Sequence, residues 1–196
     1  LETVGHTPLV HLSRIDAELP ATILAKLEFM NPGGSQKDRI AIAMLDEAER
    51  LGELLPGGTI VEATAGNTGV GLAMAAAVRG YHCVFAVPDK MSAEKVALLR
   101  AYGAEEIDSP DSYNGVADRL TREIPGAWRP GQFTNAANPA AHYASTGPEI
   151  WADADGRIDA FVAGIGTGGS LSGVARYVRE QNPALRVIGA DPAGSI

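Results

Sequence analysis

The feature that most constrains the fold is an alternation of short apolar runs with longer segments of helical period. The apolar runs predict β-strands at residues 23–28, 59–62, 82–87, 159–163 and 186–190. The segments between them predict helices at residues 37–51, 68–79, 93–102, 113–123, 141–152 and 170–180. Strand–helix alternation of this kind is typical of parallel sheets built from βαβ units. We therefore expect an α/β protein with open, mostly parallel sheets.

Composition excludes several classes of protein. The chain has 196 residues, 45% of them hydrophobic, which is enough for one or two domains with a core of their own. The single cysteine, Cys83, excludes a disulfide framework and a Cys-rich metal site. The four histidines lack the spacing of metal ligands, so no metal is expected. A net charge of −8 argues against nucleic-acid binding and against a basic membrane-binding face.

Location and domain organisation are also expectations of the sequence. An apolar run of about 18 residues, as a membrane span requires, is absent, and residues 1–5 do not resemble a signal peptide. A cytoplasmic protein is therefore expected. Residues 41–137 contain three predicted βα units and are expected to form one domain. In the other domain, the strand near Asp159 is expected to share a sheet with the amino-terminal strand.

Three glycine-bearing loops open helices, which is where open α/β sheets bind ligands. The first spans residues 31–39 (NPGGSQKDR). Ser35 and Asp38 have the spacing of a capping box, which predicts Lys37 in the first helical turn. A helix amino terminus disfavours a cation, so the pKa of the Lys37 amine should be lowered, as a nucleophilic or Schiff-base lysine requires. A solvated lysine beside an ordinary cap is the alternative.

The second loop, residues 62–71 (EATAGNTGVG), follows a predicted strand. Its small residues allow backbone N–H groups to approach an anion, and such a nest suits a carboxylate. The alternative is a tight βα turn in which Thr64 and Asn67 only cap the helix.

The third loop, residues 164–170 (GIGTGGS), has four glycines before a predicted helix and is suited to binding a phosphate. It also matches the G-x-G-x-x-G pattern, and Asp191 lies where a ribose-binding acid would stand. An NAD-type dinucleotide site is therefore an alternative, but it uses only the third loop. A pyridoxal-phosphate enzyme uses all three, with a lysine, a phosphate site and a carboxylate site.

Residues 31–39 and 62–71 resemble motifs of the cysteine synthase/cystathionine β-synthase family, which are pyridoxal-phosphate enzymes of fold type II. The resemblance continues through residues 87–95 (VPDKMSAEK), 146–150 (TGPEI) and 166–170. Two stretches, 135–143 (NAANPAAHY) and 191–196 (DPAGSI), are similar to the bacterial-type cystathionine β-synthase branch, with Ala193 in place of a Glu. Cysteine synthases share most of the other motifs, so they remain the alternative.

The resemblance implies a role for each matching residue. Lys37 would form the Schiff base with the cofactor and move the Cα proton, and Asn67 would bind the ring hydroxyl. The phosphate would be held by Gly166, Thr167, Gly168, Gly169 and Ser170, where Ser170 replaces the family's Thr. The substrate carboxylate would be bound by Thr64, Ala65, Gly66, Thr68 and Gln132, where Ala65 replaces a common Ser.

The implied reaction is β-replacement on L-serine or an activated serine. Homocysteine would be the acceptor in a cystathionine β-synthase, and sulfide in a cysteine synthase. The family architecture implies two open, mostly parallel twisted sheets, a cofactor-binding domain of residues 1–40 and 138–196, a smaller mobile domain of residues 41–137, and a homodimer. Against that architecture the large domain is expected to lack its carboxyl-terminal part, including the Ser or Thr that faces the pyridine nitrogen. A catalytically incomplete homologue is therefore a further alternative.

Overall fold

The computed structural model describes residues 1–64, 66–88, 93–109 and 112–194. Strands and helices alternate as the sequence predicts, so the α/β class is confirmed. The strands are β1 (Leu9–His11), β2 (Leu24–Lys26), β3 (Thr59–Ala63), β4 (His82–Pro88), β5 (Glu105–Ser109), β6 (Ala127–Trp128), β7 (Ala160–Gly164) and β8 (Arg186–Ala190). The helices are α1 (Lys37–Leu51), α2 (Asn67–Arg79), α3 (Ala93–Ala101), α4 (Tyr113–Glu123), α5 (Ala137–Ala141), α6 (Gly147–Asp153) and α7 (Gly169–Gln181).

The largest sheet has the strand order β5-β4-β3-β6, and all its pairs are parallel. Its two central strands, β3 and β4, are buried on both faces, as expected for a parallel sheet covered by helices. Alternate residues point to opposite faces. Ile60 and Phe85 pack with α1 and α2, whereas Val61 and Val84 pack with α4. Two layers of helices therefore enclose this sheet.

The remaining strands form two smaller sheets. Parallel strands β7 and β8 lie beside α6 and α7 and have a separate core of Ile150, Val174, Val178 and Leu185. Strands β1 and β2 pair with each other in antiparallel orientation. The expectation that the amino-terminal strand joins the sheet of β7 is therefore wrong. The side chain of Lys26, at the end of β2, instead forms ion pairs with Glu149 and Asp153 of α6.

The helix predicted at residues 141–152 is wrong in its start and in its continuity. Helix α5 begins four residues earlier, and a π-helical turn, His142–Thr146, separates it from α6. The turn packs against Gly173 of α7, where a side chain would collide with Pro139 and His142. This close approach is a tertiary contact, and helical periodicity carries no information about it.

Among the described residues, no helix is both long enough and apolar enough to cross a bilayer.

Candidate active site

Lys37 is the first residue of α1, so its predicted position is correct. The predicted capping box is wrong, because Gln36 and not Ser35 is the N-cap residue, and Ser35 and Asp38 accept from other N–H groups. The hydroxyl of Ser35 accepts a hydrogen bond from the backbone N–H of Lys37 at 3.1 Å. The carboxylate of Asp38, however, accepts from the N–H of Gly33 at 2.5 Å. Gly33 permits this because a side chain at that position would overlap Asp38. The loop before the lysine is therefore tied to the first turn of its own helix.

The amine of Lys37 lies partly out of water. Burial lowers the pKa of this amine below its usual value. The direction agrees with the sequence prediction, and the cause is loss of solvation of the charged amine. A larger fraction of the amine is therefore unprotonated near neutral pH than for an exposed lysine.

An ion-pair network fixes α1 just behind this lysine. The side chain of Arg39 is only 2% exposed and donates two hydrogen bonds to each of the carboxylates of Glu28 and Glu149, at 2.7 to 2.8 Å. These hydrogen bonds raise the pKa of Arg39 although burial opposes them. The same contacts hold the pKa of Glu28 low despite burial. The network connects α1 to the turn at 28–31 and to α6.

The second loop caps α2 and faces Gln132. The hydroxyl oxygen of Thr64 accepts from the N–H groups of Gly66 at 3.4 Å and Gly69 at 3.2 Å. Thr68 donates its hydroxyl to the side-chain oxygen of Gln132 at 2.6 Å. Capping thus occurs as the alternative interpretation expected, and the structure also brings Gln132 to the amino terminus of α2. Asn67 is exposed at that terminus, and Ala65 lies outside the described residues.

The amino-terminal parts of α1 and α2 approach each other closely at Gly71. A Cβ atom on Gly71 would lie 3.0 Å from the carbonyl oxygen of Lys37 and 3.1 Å from the Cβ of Ala41. Glycine at this position therefore allows the two helix amino termini to meet, and with them Lys37 and the second loop.

A cavity of about 820 Å³ opens where these elements meet. It is lined by the predicted site residues Lys37, Thr64, Gly66, Asn67, Thr68 and Gln132. Polar groups outside the prediction, among them Glu62 and Arg129, also line it. Of the described residues that line this cavity, none comes from residues 166–170. The structure thus brings Lys37 and the second loop to one cavity, whereas the described residues of the third loop do not contribute to its lining.

The third loop connects β7 to α7. Gly168 is the N-cap residue and has φ of +78°, a conformation that favours glycine. The hydroxyl oxygen of Thr167 accepts hydrogen bonds from the side-chain amide of Asn138 at 2.9 Å and from the N–H of Gly169 at 3.4 Å. The exposed Gly166 and the half-buried Ser170 complete the loop. Backbone N–H groups at the start of a 13-residue helix are suited to binding an anion.

Two buried side chains of the site were missed by the sequence analysis. Asn138 is 1% exposed and donates its amide to the backbone carbonyl of Gln132 at 2.8 Å as well as to Thr167. Glu62, at the end of β3, accepts from the N–H of Gly131 at 2.8 Å and so fixes the segment that carries Gln132. The residue pairs involved are between 6 and 69 positions apart in the chain. Spacing within a single loop cannot reveal them.

His142 and Cys83 are buried in the protein interior. The described residues contain no group of three or more His, Cys, Asp or Glu side chains that could hold a metal ion. His142 is fully buried, shares a hydrogen bond of 2.9 Å with the hydroxyl of Thr146, and has its pKa lowered to about 4, mainly by burial. Burial in β4 raises the pKa of the Cys83 thiol to about 12.

The chain is similar to two curated proteins and to a solved structure. It is 51% identical to cystathionine beta-synthase of Rattus norvegicus over all of its own length. It is 48% identical to cysteine synthase B of Pseudomonas aeruginosa over 97% of its length. It superposes on a crystal structure of a hydrogen sulfide-producing enzyme from Fusobacterium nucleatum with a TM-score of 0.95 and 42% identity, over 99% of the chain. The chain spans 37% of the rat protein and 65% of each bacterial protein.

A family model described as "Pyridoxal-phosphate dependent enzyme" matches residues 1–196, the whole chain. This match, together with the relatives, sets aside the dinucleotide alternative, which explains only the third loop. It also gives the cofactor of the family as pyridoxal phosphate. The chain therefore belongs to the family of pyridoxal-phosphate dependent enzymes.

Proposed function

We propose that this chain carries the cofactor and substrate site of an enzyme that replaces the β-hydroxyl of L-serine by the sulfur of a thiol. Homocysteine is the proposed acceptor, which makes the reaction that of a cystathionine β-synthase. The names of the mammalian relatives and the sequence of residues 135–143 support this choice. Because the chain spans only 37% of the rat protein, the proposal concerns the whole protein that contains it.

The residues present fit pyridoxal phosphate. The half-buried Lys37 amine is suited to a covalent bond with the aldehyde. The positive φ of Gly168 and the amino terminus of α7 suit the phosphate. Asn67 is exposed at the cavity and would bind the ring hydroxyl. The bound cofactor would supply an electron-accepting ring that stabilises negative charge at the substrate Cα.

Lys37 has the chemistry of the base that moves the Cα proton. An amine whose pKa is lowered by burial holds its proton less tightly, which favours a role in accepting and returning a proton. The hydrogen bond from its backbone N–H to Ser35 fixes the start of α1. The ion pairs of Arg39, two residues later, prevent that helix from shifting.

The amino terminus of α2 would bind the substrate carboxylate. The hydroxyl oxygen of Thr64 already accepts two N–H donors, so its own proton is free to donate. Gln132 accepts from Thr68 through its side-chain oxygen, which leaves its NH2 group to donate. A carboxylate accepts hydrogen bonds from donors of these kinds, and the positive end of α2 adds to the attraction.

One observation carries this proposal: the lysine with a lowered pKa and the helix terminus suited to a carboxylate line the same cavity. The experiment supplies L-serine and homocysteine to the protein reconstituted with pyridoxal phosphate and measures cystathionine by mass spectrometry. We expect cystathionine to form, to be abolished by Lys37→Ala, and to be unaffected by Lys95→Ala at an exposed lysine. Cystathionine from the Lys37→Ala protein would contradict the proposal.

A cysteine synthase is the second candidate, supported by the 48% identity to cysteine synthase B. In parallel assays with sulfide and O-acetylserine or O-phosphoserine, it would produce cysteine faster than cystathionine is formed. A protein that binds the cofactor but forms neither product would instead be the catalytically incomplete homologue.

We also propose that residues 41–137 form a smaller domain and that the protein is a homodimer. Support for the domain comes from the separate hydrophobic cores on the sheet of β3 and on the sheet of β7. The family resemblance alone supports the dimer, and light scattering measures it directly.

A further inference from the structure

Asn138 connects the two halves of the candidate site. This residue lies on α5, is 1% exposed, and uses both hydrogens of its side-chain NH2 group. One is donated to the backbone carbonyl of Gln132 at 2.8 Å and the other to the hydroxyl oxygen of Thr167 at 2.9 Å. Gln132 belongs to the carboxylate side of the site and Thr167 to the glycine loop. The side-chain amide of Asn138 is thus hydrogen-bonded to both segments.

The orientation of this amide is determined by its partners. If the amide were flipped, its oxygen would face the carbonyl of Gln132, and two acceptors would oppose each other. In the observed orientation the Oδ1 atom of Asn138 is buried without a hydrogen-bond partner. It lies against Gly169, where a Cβ atom would collide with the amide. An unsatisfied buried oxygen costs free energy. The side chain of Asn138 therefore makes its two donated hydrogen bonds at the cost of leaving Oδ1 without a donor.

The hydrogen bond to Thr167 determines what that hydroxyl can do. Its oxygen accepts from Asn138 and, at 3.4 Å, from the N–H of Gly169. A hydroxyl has two acceptor sites and one donor, so both acceptor sites are used and the proton is left to donate. Within a glycine loop at a helix amino terminus, an anion is the natural acceptor for that proton.

We propose that Asn138 is a positioning residue that fixes Thr167 as a hydrogen-bond donor to the cofactor phosphate and, through the same amide, holds the Gln132 segment at the substrate carboxylate. This inference rests on the proposed function, since it assumes that residues 166–170 bind the phosphate. It adds a side chain that contacts neither ligand and couples the two binding events.

The test compares two forms of the cofactor, pyridoxal phosphate and pyridoxal, which lacks the phosphate. Both are titrated into the apoprotein and followed by absorbance. For Asn138→Ala we expect the Kd of pyridoxal phosphate to rise about 10-fold or more, as for a lost charge-assisted hydrogen bond. The Kd of pyridoxal should change less than about 2-fold, because it makes no phosphate contact. The KM for L-serine should also rise several-fold, since Gln132 loses its tether.

Two further variants keep the test decisive. Asn138→Ser retains one donor and should give intermediate values, and it is the substitute if the alanine variant does not fold. Asn182→Ala is the matched control at the opposite end of α7, where the amide of Asn182 donates to the carbonyl of Ile158 at 2.9 Å. It should leave the ratio of the two dissociation constants unchanged.

A double-mutant cycle separates this proposal from the proposed function. Because Asn138 acts on the phosphate through Thr167, Asn138→Ala in a Thr167→Val background should weaken pyridoxal phosphate binding less than about 2-fold further. Equal weakening of both cofactor forms by Asn138→Ala would mean a purely structural role and would overturn the inference. If Thr167→Val alone left pyridoxal phosphate binding unchanged, the Thr167 hydroxyl would not contact the phosphate and the inference would fail. The proposed function would still stand in that case if the wild-type protein formed cystathionine.

Discussion

The ion pairs of Arg39 with Glu28 and Glu149 allow a quantitative prediction of the stability lost when Arg39 is replaced. Arg39→Met removes the guanidinium but keeps a long apolar stem and a similar helix propensity. It removes the cation that Glu28 and Glu149 share, and it leaves Lys26 as the remaining ion-pair partner of Glu149 among the described contacts. Both carboxylates are less than a fifth exposed, so water replaces the lost contacts poorly. We expect a large loss of stability.

The magnitude follows from Glu149. Burial by itself would raise the pKa of this carboxyl, but hydrogen bonds from Arg39, the backbone of His6 and Lys26 outweigh it and lower the pKa from 4.5 to about 2. At about 1.4 kcal/mol per pKa unit, these interactions stabilise the fold by roughly 3 kcal/mol. Removing one partner of a buried ion pair costs about 3–5 kcal/mol in other proteins. We therefore expect Arg39→Met to lower the free energy of unfolding by about 3 kcal/mol or more.

Urea unfolding at pH 7, followed by circular dichroism, measures the effect. The matched control is Arg50→Met on the same helix, because Arg50 also pairs with a glutamate through two hydrogen bonds but is 65% exposed. Arg50→Met should lower the free energy of unfolding by less than about 1 kcal/mol. Since the pKa of Glu149 is lowered in the folded state, its stabilisation is complete above pH 4.5 and disappears as the pH falls towards 2. The difference between wild type and Arg39→Met should shrink over that range. The reasoning would be refuted if the two variants lost equal free energy of unfolding at pH 7. It would also be refuted if the loss caused by Arg39→Met did not change with pH.

Three further predictions concern residues around the site. The neutral form of buried His142 is favoured in the folded state, so the free energy of unfolding should fall by up to about 3 kcal/mol between pH 6.5 and about 4; His142→Gln should lose that part of the pH dependence in urea titrations. The Cys83 thiol, with a pKa of about 12, should react with a thiol reagent only when urea unfolds the protein, and labelling of the native protein within minutes would contradict its burial. Gly71→Ala should lower the melting temperature and weaken cofactor binding, because a new Cβ would press on the backbone of Lys37. Gly115→Ala, on a helix face with space, should raise the melting temperature slightly, and equal shifts for the two would be evidence against the close packing of α1 and α2.

Elements governed by local sequence were predictable. Helices α1 and α4 and strand β8 have the predicted bounds, since a polar start, regular periodicity and a flanking glycine or proline define them locally. Lys37 was placed at the start of its helix for the same reason. The three loops were recognised because their glycines and hydroxyl side chains are contiguous in the chain.

Features that depend on distant residues were not predictable. Strand β6 has two residues and exists only because it pairs with β3, and β5, with the polar sequence EEIDS, is defined by its pairing with β4. The break at His142–Thr146 follows from close packing against α7. The role of Asn138 arises where α5 meets two other segments. In each case the feature depends on a contact with residues far away in the sequence, so a local sequence pattern does not predict it.

The central claim is that Lys37 holds the cofactor, and it can be tested by locating the cofactor on the chain. The protein is reconstituted with pyridoxal phosphate and treated with borohydride, which makes the bond to a lysine permanent, and its peptides are analysed by mass spectrometry. The sequence has four lysines, at positions 26, 37, 90 and 95, so the assignment is unambiguous. We expect the pyridoxyl group on Lys37 and no label in the Lys37→Ala protein. A label on Lys26, Lys90 or Lys95, or a label that persists in the Lys37→Ala protein, would contradict this account.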